Sequence, residues 1–455
     1  MADMTFELAI RRRHALRAAV GQGLVSPDEP VVGLLDVEGI TRSVAALRDA
    51  FATPGVSVTH TFAVKAASLV PVLALLGECG LGAEVASPGE TALALAAGIP
   101  AGRIVLDSPA KTPAELREAL ALGVAVNADN PQELDRLDAL RAADPAPRAP
   151  IGLRVNPQVG GGSIDAMSTA TATSKFGVAL RDPGAEEWVL RAYAERPWMD
   201  RLHTHTGSQG VPPELMAAGV RAVYELAERI NAAAGRRQVT VLDIGGGLPV
   251  NFGSDATAPS FAAYADVLRA QVPGLFDGRY ALVTEFGRAL LAKNGTVLAR
   301  VEYAKTAGGR PIAVTHAGAQ VATRTVFAPE AWPLRVLALD AWGREKEGEP
   351  VVQDVAGPCC FAGDLVARGR PLPLLAPGDH VALLDTGAYY FSTHFAYNSL
   401  PRPAVHGYTV GPGGEVTFSP VRRAQTTAGL LAESGAGLPP LSPGRRLGEG
   451  PGNAP

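Results

Sequence analysis

Eight times between about residue 30 and residue 290, an apolar run ends at a turn and gives way to a helical pattern. The runs end near Ala66 ("SVTHTFAVKA"), Ser87 ("GAEVAS"), Pro109 ("RIVLDSP"), Asn130 ("VAVNADN"), Pro157 ("APIGLRVNP"), Ser208 ("RLHTHTGS"), Gly247 ("VTVLDIGGG") and Gly287 ("YALVTEFG"). Between them stand helical stretches such as "SLVPVLALLGEC", "SPGETALALAAG", "TPAELREALALG" and "NPQELDRLDALRAA". Several open on Ser, Thr or Asn before Pro and several stop at Gly, which are N-cap, first-turn and C-cap signals. Eight strand–helix units in this length predict a closed (β/α)8 barrel over residues 30–288, with an open doubly wound sheet as the alternative.

After Gly287 the rhythm changes. "TVLARVEYAKT", "RPIAVTHAG", "LRVLALDAW", "EPVVQDVAGPCC", "DHVALLDTGAYY" and "AVHGYTVG" read as strands with little helix between them. Residues 289–424, with an N-terminal helical segment in residues 1–29, are expected to form a second, all-β domain of antiparallel strands. A chain of 455 residues has room for two such cores. The last residues, 425–455, are rich in Gly, Pro and Ser and read as a poorly ordered tail.

Net charge is −4, with no basic run beyond Arg11–Arg13, so a nucleic-acid platform has little support. Arg12 and Arg13 fall on an amphipathic helix and read as its solvated face. The sequence has neither a secretory leader pattern nor an apolar run long enough to span a membrane. Cys79, Cys359 and Cys360 make no disulfide framework, and a reducing, cytoplasmic compartment is expected.

In a barrel, function gathers where strands end. Lys65 ends the first run, and it is one of only six lysines against 35 arginines. Glu84 lies on the second, His203 and His205 on the sixth, Gly245–Gly247 end the seventh, and Glu285, Gly287 and Arg288 end the eighth. Each has a plainer explanation: a tight turn for the glycines, a surface ion pair for Glu285 and Arg288. The two histidines could be zinc ligands, but no further ligands are placed with them, and no metal is expected. Together the set meets the needs of pyridoxal phosphate. A lysine forms an imine, a glycine loop with Ser208 and Arg288 holds a phosphate, His205 stacks on a ring, and Glu285 holds a ring-nitrogen proton. Burial at a strand end is expected to lower the lysine pKa and help that chemistry.

From about Pro30 to Arg423 the chain resembles the fold type III pyridoxal-phosphate decarboxylases, the diaminopimelate/ornithine/arginine group with an alanine-racemase-like barrel. It is most similar to diaminopimelate decarboxylases. The motifs are "FAVKA", "HTHTGSQ", "LDIGGG", "EFGR", "GPCCFAGD", "DTGAYYFS" and "YNSLPRP". The resemblance implies that Lys65 is the Schiff-base lysine and His205 the stacking residue. It also implies that Ser208, the glycine loop and Tyr389 hold the phosphate, and that Glu285 pairs with the ring nitrogen. A carboxylate there favours α-decarboxylation over racemisation, the alternative on the same cofactor. The resemblance further implies a homodimer with shared sites, Cys360 of one subunit protonating Cα in the other, while Cys359 reads as core.

The departures bear on substrate. Phe361 and Ala362 stand where relatives carry an acidic residue and a serine, Ala67 where they carry asparagine, and Phe286 where they carry proline. Arg324 matches a distal-carboxylate arginine, although a surface loop residue is the plainer reading, and the tyrosine expected after it is missing. Arg288, Arg324, Phe361, Asp364 and Tyr389 are the expected substrate contacts. The expected substrate is an L-type amino acid, or an amino-acid-bearing intermediate, with no distal amine. Its far end would be a carboxylate, amide or apolar group, of a kind used in siderophore or other secondary-metabolite pathways. Genuine meso-diaminopimelate decarboxylation is the alternative.

Overall fold

All eight runs are strands, and they close. The computed structural model describes residues 2–143 and 149–440. Its barrel strands, first to eighth, are Val58–Ala63, Gly82–Val85, Ile104–Leu106, Ala125–Ala128, Ile151–Asn156, Met199–His203, Val241–Asp243 and Ala281–Phe286. Each pairs in parallel with its sequence neighbour, and the eighth pairs with the first (Leu282 with Val58 through Phe286 with Phe62). A closed barrel has no free edges, so the open-sheet alternative is excluded.

The helix signals work as the sequence suggests. Ser87 accepts from the Glu90 N–H at 3.2 Å, and Thr112 and Glu115 form a reciprocal capping box. Asn130 accepts from the Glu133 N–H at 3.0 Å. Gly123 ends its helix at φ 78°, where a side chain would be strained.

A second, nine-stranded sheet packs beside the barrel. Its spine is Gly295–Ala307, which pairs antiparallel with Val31–Asp36, Arg310–Thr315 and His380–Leu384. The boundary expected at residue 30 therefore shifts. Val31–Asp36 belongs to this sheet, because its backbone pairs with Gly295–Ala299 and Val405–Tyr408, and the barrel begins beyond it. The sheet is mixed rather than antiparallel: Val31–Asp36 lies parallel to Val405–Val410, and Arg310–Thr315 to Pro350–Ala356. Leu365–Pro373 and Val416–Arg422 are further strands, and Ala319–Phe327 is a helix that the strand pattern did not suggest. Part of the expected tail is also ordered. Thr427–Glu433 is a helix capped by Thr426, and residues 441–455 lie outside the described residues. No described helix is long and apolar enough to cross a membrane.

The first helix, Ala2–Gly21, corrects the reading of its arginines. Arg12 is buried and makes a two-pronged pair with Asp255 at 2.8 and 2.9 Å. Arg11 is buried on Asp36 at 2.8 Å, and only Arg13 stays at the surface, on Glu345. Asp255, from the barrel, also meets Arg335 of the second domain at 2.7 Å. Arg335 in turn holds Asp385 at 2.9 Å. The N-terminal helix, the barrel and the β domain thus meet at one carboxylate.

Burial alone would push the Asp255 carboxyl up, but Arg12 and Arg335 outweigh it and hold the group below the usual aspartate range. Asp255→Asn leaves both guanidinium groups underpaired and is expected to cost about 2–3 kcal/mol, read as a lower melting temperature. A carboxyl whose folded pKa is depressed stabilises fully above its unfolded pKa, about 3.9, and loses that contribution as pH falls through the folded value. The difference between wild type and variant should therefore be constant near neutrality and shrink only in acid. A variant that melts with wild type at pH 7 would remove this carboxylate as the domain link.

Candidate active site

The C-terminal ends of the barrel strands bring the expected side chains together, at different depths. Lys65 lies just past the first strand, in the one-turn helix Val64–Ala66. Its side chain is 44% exposed at the mouth, although desolvation still acts on its amine. Its Nζ donates to both oxygens of Glu84, at 2.7 and 2.5 Å, and Glu84 is buried. Desolvation would lower the Lys65 pKa, but Glu84, Tyr389 and Glu285 outweigh it, and the net shift is upward. This reverses the sequence expectation: desolvation is the largest single effect, but Glu84, Tyr389 and Glu285 together exceed it. Burial raises the Glu84 pKa as well, against the pull of Lys65.

His205 lies two residues past the sixth strand, and its Nδ1 accepts from the Gly246 N–H at 3.1 Å. Burial first, then Arg154 and Lys65, hold its pKa well below normal, so the ring is neutral. Gly245 spends its N–H on the Asp243 carboxylate at 3.2 Å. Two of the three glycine N–H groups offered to a phosphate by the sequence reading are therefore taken internally. The glycines are still required. A Cβ on Gly246 would lie 2.0 Å from the Glu285 carbonyl oxygen, and one on Gly247 would lie 1.7 Å from that of Gly207. Ser208 is half-buried, its N–H on the Met167 carbonyl at 2.9 Å.

Glu285 is buried, its Oε1 without a partner, and burial followed by the charges of Asp243, Asp107 and Glu84 pushes its pKa well up. Phe286, the next residue, points the other way and packs on Phe51, Phe261 and Tyr264. Strand alternation makes it core rather than pocket, so it does not reduce the polarity of the site. Gly287 lets the eighth strand close on the Lys65 turn, where a Cβ would meet that of Ala66 at 2.9 Å.

Arg288 is the strongest sign of a ligand. It is buried, and none of its three guanidinium nitrogens has a partner. Desolvation brings its pKa down to about 10, so it keeps its charge at neutral pH. The guanidinium carbon sits 4.4 Å from the Tyr389 ring centre and 4.5 Å from that of Trp332. Arg324 flanks the same two rings at 4.5 and 4.9 Å, and its Nη1 is buried and unpartnered. It lies on the helix Ala319–Phe327, so it is not a surface loop residue. Two adjacent cations without anions, one buried and one half-buried, are costly unless anionic groups complete them. Trp332, which the sequence reading missed, covers Arg324 where a tyrosine was expected. An aromatic five residues past Phe327 was its only signal.

The second domain supplies the rest. The Tyr389 N–H donates to the Ala66 carbonyl at 2.7 Å, and Ser392 Oγ donates to the Lys65 carbonyl at 2.9 Å. Tyr389 is held at φ 69°, a strained backbone of the kind found at functional sites. Cys360 is exposed, its N–H on the Asn398 side chain at 2.8 Å. Cys359 is buried with its thiol pushed up to about 11, by burial and then by Asp364. Asp364 itself corrects an expectation. It is buried, and its carboxylate accepts from the Ala319 and Cys359 N–H groups at 2.6 and 2.7 Å, so it anchors the cysteine loop instead of meeting substrate. Phe361 stacks on Phe327 at 5.5 Å and meets Tyr397 edge-on.

His203, grouped with the mouth by the sequence reading, is fully buried beneath it. It stands with Asp107, Asp243 and Glu285, all four offering ligand-type atoms within 4.8 Å of one another. The sequence reading passed over Asp107 and Asp243. Each follows an apolar Val-Leu pair at a strand end ("IVLD", "TVLD"), which is the signal that was available.

Residues 37–292 match the family described as "Pyridoxal-dependent decarboxylase, pyridoxal binding domain". The diaminopimelate decarboxylase of Pseudomonas fluorescens is 35% identical over 375 residues, 82% of this chain and 85% of that protein. That of Aquifex aeolicus is 31% identical over 346 residues, 75% and 79% of the two chains. The crystal structure of diaminopimelate decarboxylase from Helicobacter pylori complexed with L-lysine superposes with a TM-score of 0.77 at 25% identity, covering 90% of this chain and 97% of that one. The orphaned Arg288, the neutral His205, the accessible Lys65 and the close-packed glycine loop fit the cofactor that this family binds. The chain belongs to the pyridoxal-dependent decarboxylases of fold type III and is a pyridoxal-phosphate-dependent carboxy-lyase.

Proposed function

We propose that this enzyme α-decarboxylates an L-type amino acid whose far end carries a carboxylate and no amine. The observation that carries this reading is the buried, unpartnered Arg288 guanidinium and, beside the same Tyr389, the half-buried Arg324 with an unpartnered Nη1, with no free carboxylate in the cysteine loop. Lys65 is the cofactor's attachment point, and Glu84, at 2.5 Å, is the acceptor for the proton its amine must shed. His205, steered by the Gly246 N–H, stacks on the ring. Arg288, with Tyr389, Ser208 and the last glycine of the loop, holds the phosphate, and Glu285 faces the ring nitrogen. When bound, pyridoxal phosphate supplies the conjugated ring that accepts the electron pair left at Cα as the carboxylate departs as CO2. The Cys360 thiol then returns a proton to Cα.

Arg324 takes the distal carboxylate. Phe361 cannot pair with a distal ammonium as an acidic residue would, and Asp364 is spent on backbone N–H groups. Cys360 acts across a homodimer. The exposed rings beside it, Phe327 at 57% and Tyr397 at 40%, support burial of this face against a second subunit. A second reading is meso-diaminopimelate decarboxylation to L-lysine, favoured by the names of the relatives.

Three outcomes are expected. Purified protein carries a visible absorption band, and borohydride reduction leaves the cofactor on the Lys65 peptide by mass spectrometry; Lys65→Ala abolishes both. CO2 release is faster from 2-aminopimelate, which lacks the distal amine, than from meso-diaminopimelate. Brisk lysine formation from the latter would establish the second reading instead. Lys65→Ala and Cys360→Ala proteins, each nearly inactive, recover about a quarter of wild-type activity when mixed, because half the dimers then hold one intact site of two. Activity that stays at the level of the single variants would refute shared sites.

A further inference from the structure

Beneath the mouth lies a group of buried ionisable side chains that the scheme above uses only at its upper edge. His203 is fully buried at the end of the sixth strand. Its Nδ1 lies 3.4 Å from Asp107 Oδ1 and its Nε2 lies 3.5 Å from Glu285 Oε2. Neither nitrogen makes a hydrogen bond, and Asp107 Oδ1 and Glu285 Oε1 are also without partners. The ring is thus aimed at both carboxylates and satisfied by neither, with each gap only a few tenths of an ångström too long. Asp107 is fixed from its other side by Asn127, whose Nδ2 reaches Asp107 Oδ2 at 3.2 Å and Asp243 Oδ2 at 3.4 Å.

The charge around this ring is lopsided. Asp107, Asp243, Glu285 and Glu84 come from the third, seventh, eighth and second strands, and Asp129 follows the fourth. Against them stand Lys65, held by Glu84, Lys111, held by Glu133 at 2.7 Å, and Arg154, stacked over Phe176 at 4.4 Å. Burial first, then Asp243, Asp107 and Glu84, favour a proton on Glu285, whereas a partner for a pyridinium must be an anion. Burial outweighs Asp107 and Asp243 and lowers the His203 pKa, and an ionised Glu285 at 3.5 Å adds a further charge that favours a proton on the ring. Asp107 and Glu285 share a hydrogen bond while Glu285 is protonated, and His203 lies against both, so it is placed to offset an ionised Glu285.

We propose that His203 is a positioning residue: bridging Asp107 and Glu285, it orients the Glu285 carboxylate and offsets the negative charge around it, so that Glu285 meets the cofactor ring nitrogen as an anion. The inference rests on the reading that Glu285 faces that nitrogen. Removing the imidazole leaves Glu285 protonated and the ring nitrogen without its proton. The Lys65 nitrogen, no longer facing a positive ring, then keeps its own proton to higher pH.

The test uses the full-length holoenzyme and reads cofactor affinity and the pH dependence of the visible band, neither of which requires a substrate. In His203→Gln the dissociation constant for pyridoxal phosphate is expected to rise about tenfold, the worth of one hydrogen bond to a charged group. The midpoint of the visible band should move to higher pH. Asp107→Asn should move both in the same direction, and the double variant should be no worse than the weaker single variant, because both act through one contact. Wild-type affinity and midpoint in a folded His203→Gln protein would overturn the inference, as would strictly additive effects. If the variants do not fold, a crystal structure of the unaltered holoenzyme decides. His203 Nε2 within about 3.2 Å of Glu285 supports the bridge, and an intervening water or metal ion overturns it. A wild-type protein that never acquires the visible band overturns the reading of the site, and this inference with it.

Discussion

Pairing of Ala125–Ala128 with Ile151–Asn156, and of Ala281–Phe286 with Val58–Ala63, turns eight short strands into a ring. Everything at the site follows from that closure. The strands are only three to six residues long, so their C-terminal ends lie close together. Residues far apart in the chain, such as Lys65, His205 and Glu285, then face one mouth. The same crowding leaves no room for side chains on the linking turns. Gly246, Gly247 and Gly287 are where neighbouring backbones or a neighbouring Cβ would meet an added methyl group, which is why glycine recurs there.

Closure also concentrates charge. Four carboxylates, Glu84, Asp107, Asp243 and Glu285, end up buried in one barrel. Each is managed differently: Glu84 by Lys65, Asp107 by Asn127 and His203, Asp243 by the Gly245 N–H, and Glu285 by a pKa that burial and its neighbours push up. On the far side of the mouth the imbalance is reversed, with Arg288 and Arg324 lacking anions. A site poor in anions at one end and rich in them at the other is suited to a ligand with phosphate or carboxylate at one end and a basic ring nitrogen at the other.

The β domain is a working part of this arrangement. It places Tyr389 on the Lys65 turn through a main-chain hydrogen bond, brings Arg324 against the barrel's Arg288, and carries the Cys360 loop on the Asp364 anchor. Asp255 ties it to the barrel and to the first helix through two arginines. The aromatic group of Phe327, Phe361, Phe395 and Tyr397 gathers beside Cys360 on the same domain.

The sequence by itself determined the barrel, its eight strands and most of the mouth. Apolar periodicity, capping residues and strand-end positions are local properties, and a closed barrel converts strand-end position into three-dimensional proximity. Lys65, His205, Glu285 and Arg288 were legible for that reason. What only the tertiary structure decided depends on direction and depth. Phe286 turned outward because neighbours on a strand face opposite ways, and His203 sank below the mouth although it is two residues from His205. Asp364 proved to be an anchor because two backbone N–H groups reach it from separate elements. The Lys65 pKa rose because a buried Glu84 from the next strand, together with Tyr389 and Glu285, outweighs desolvation. Trp332, Asp107 and Asn127 gained their roles from contacts across the barrel and between domains, which no local pattern encodes.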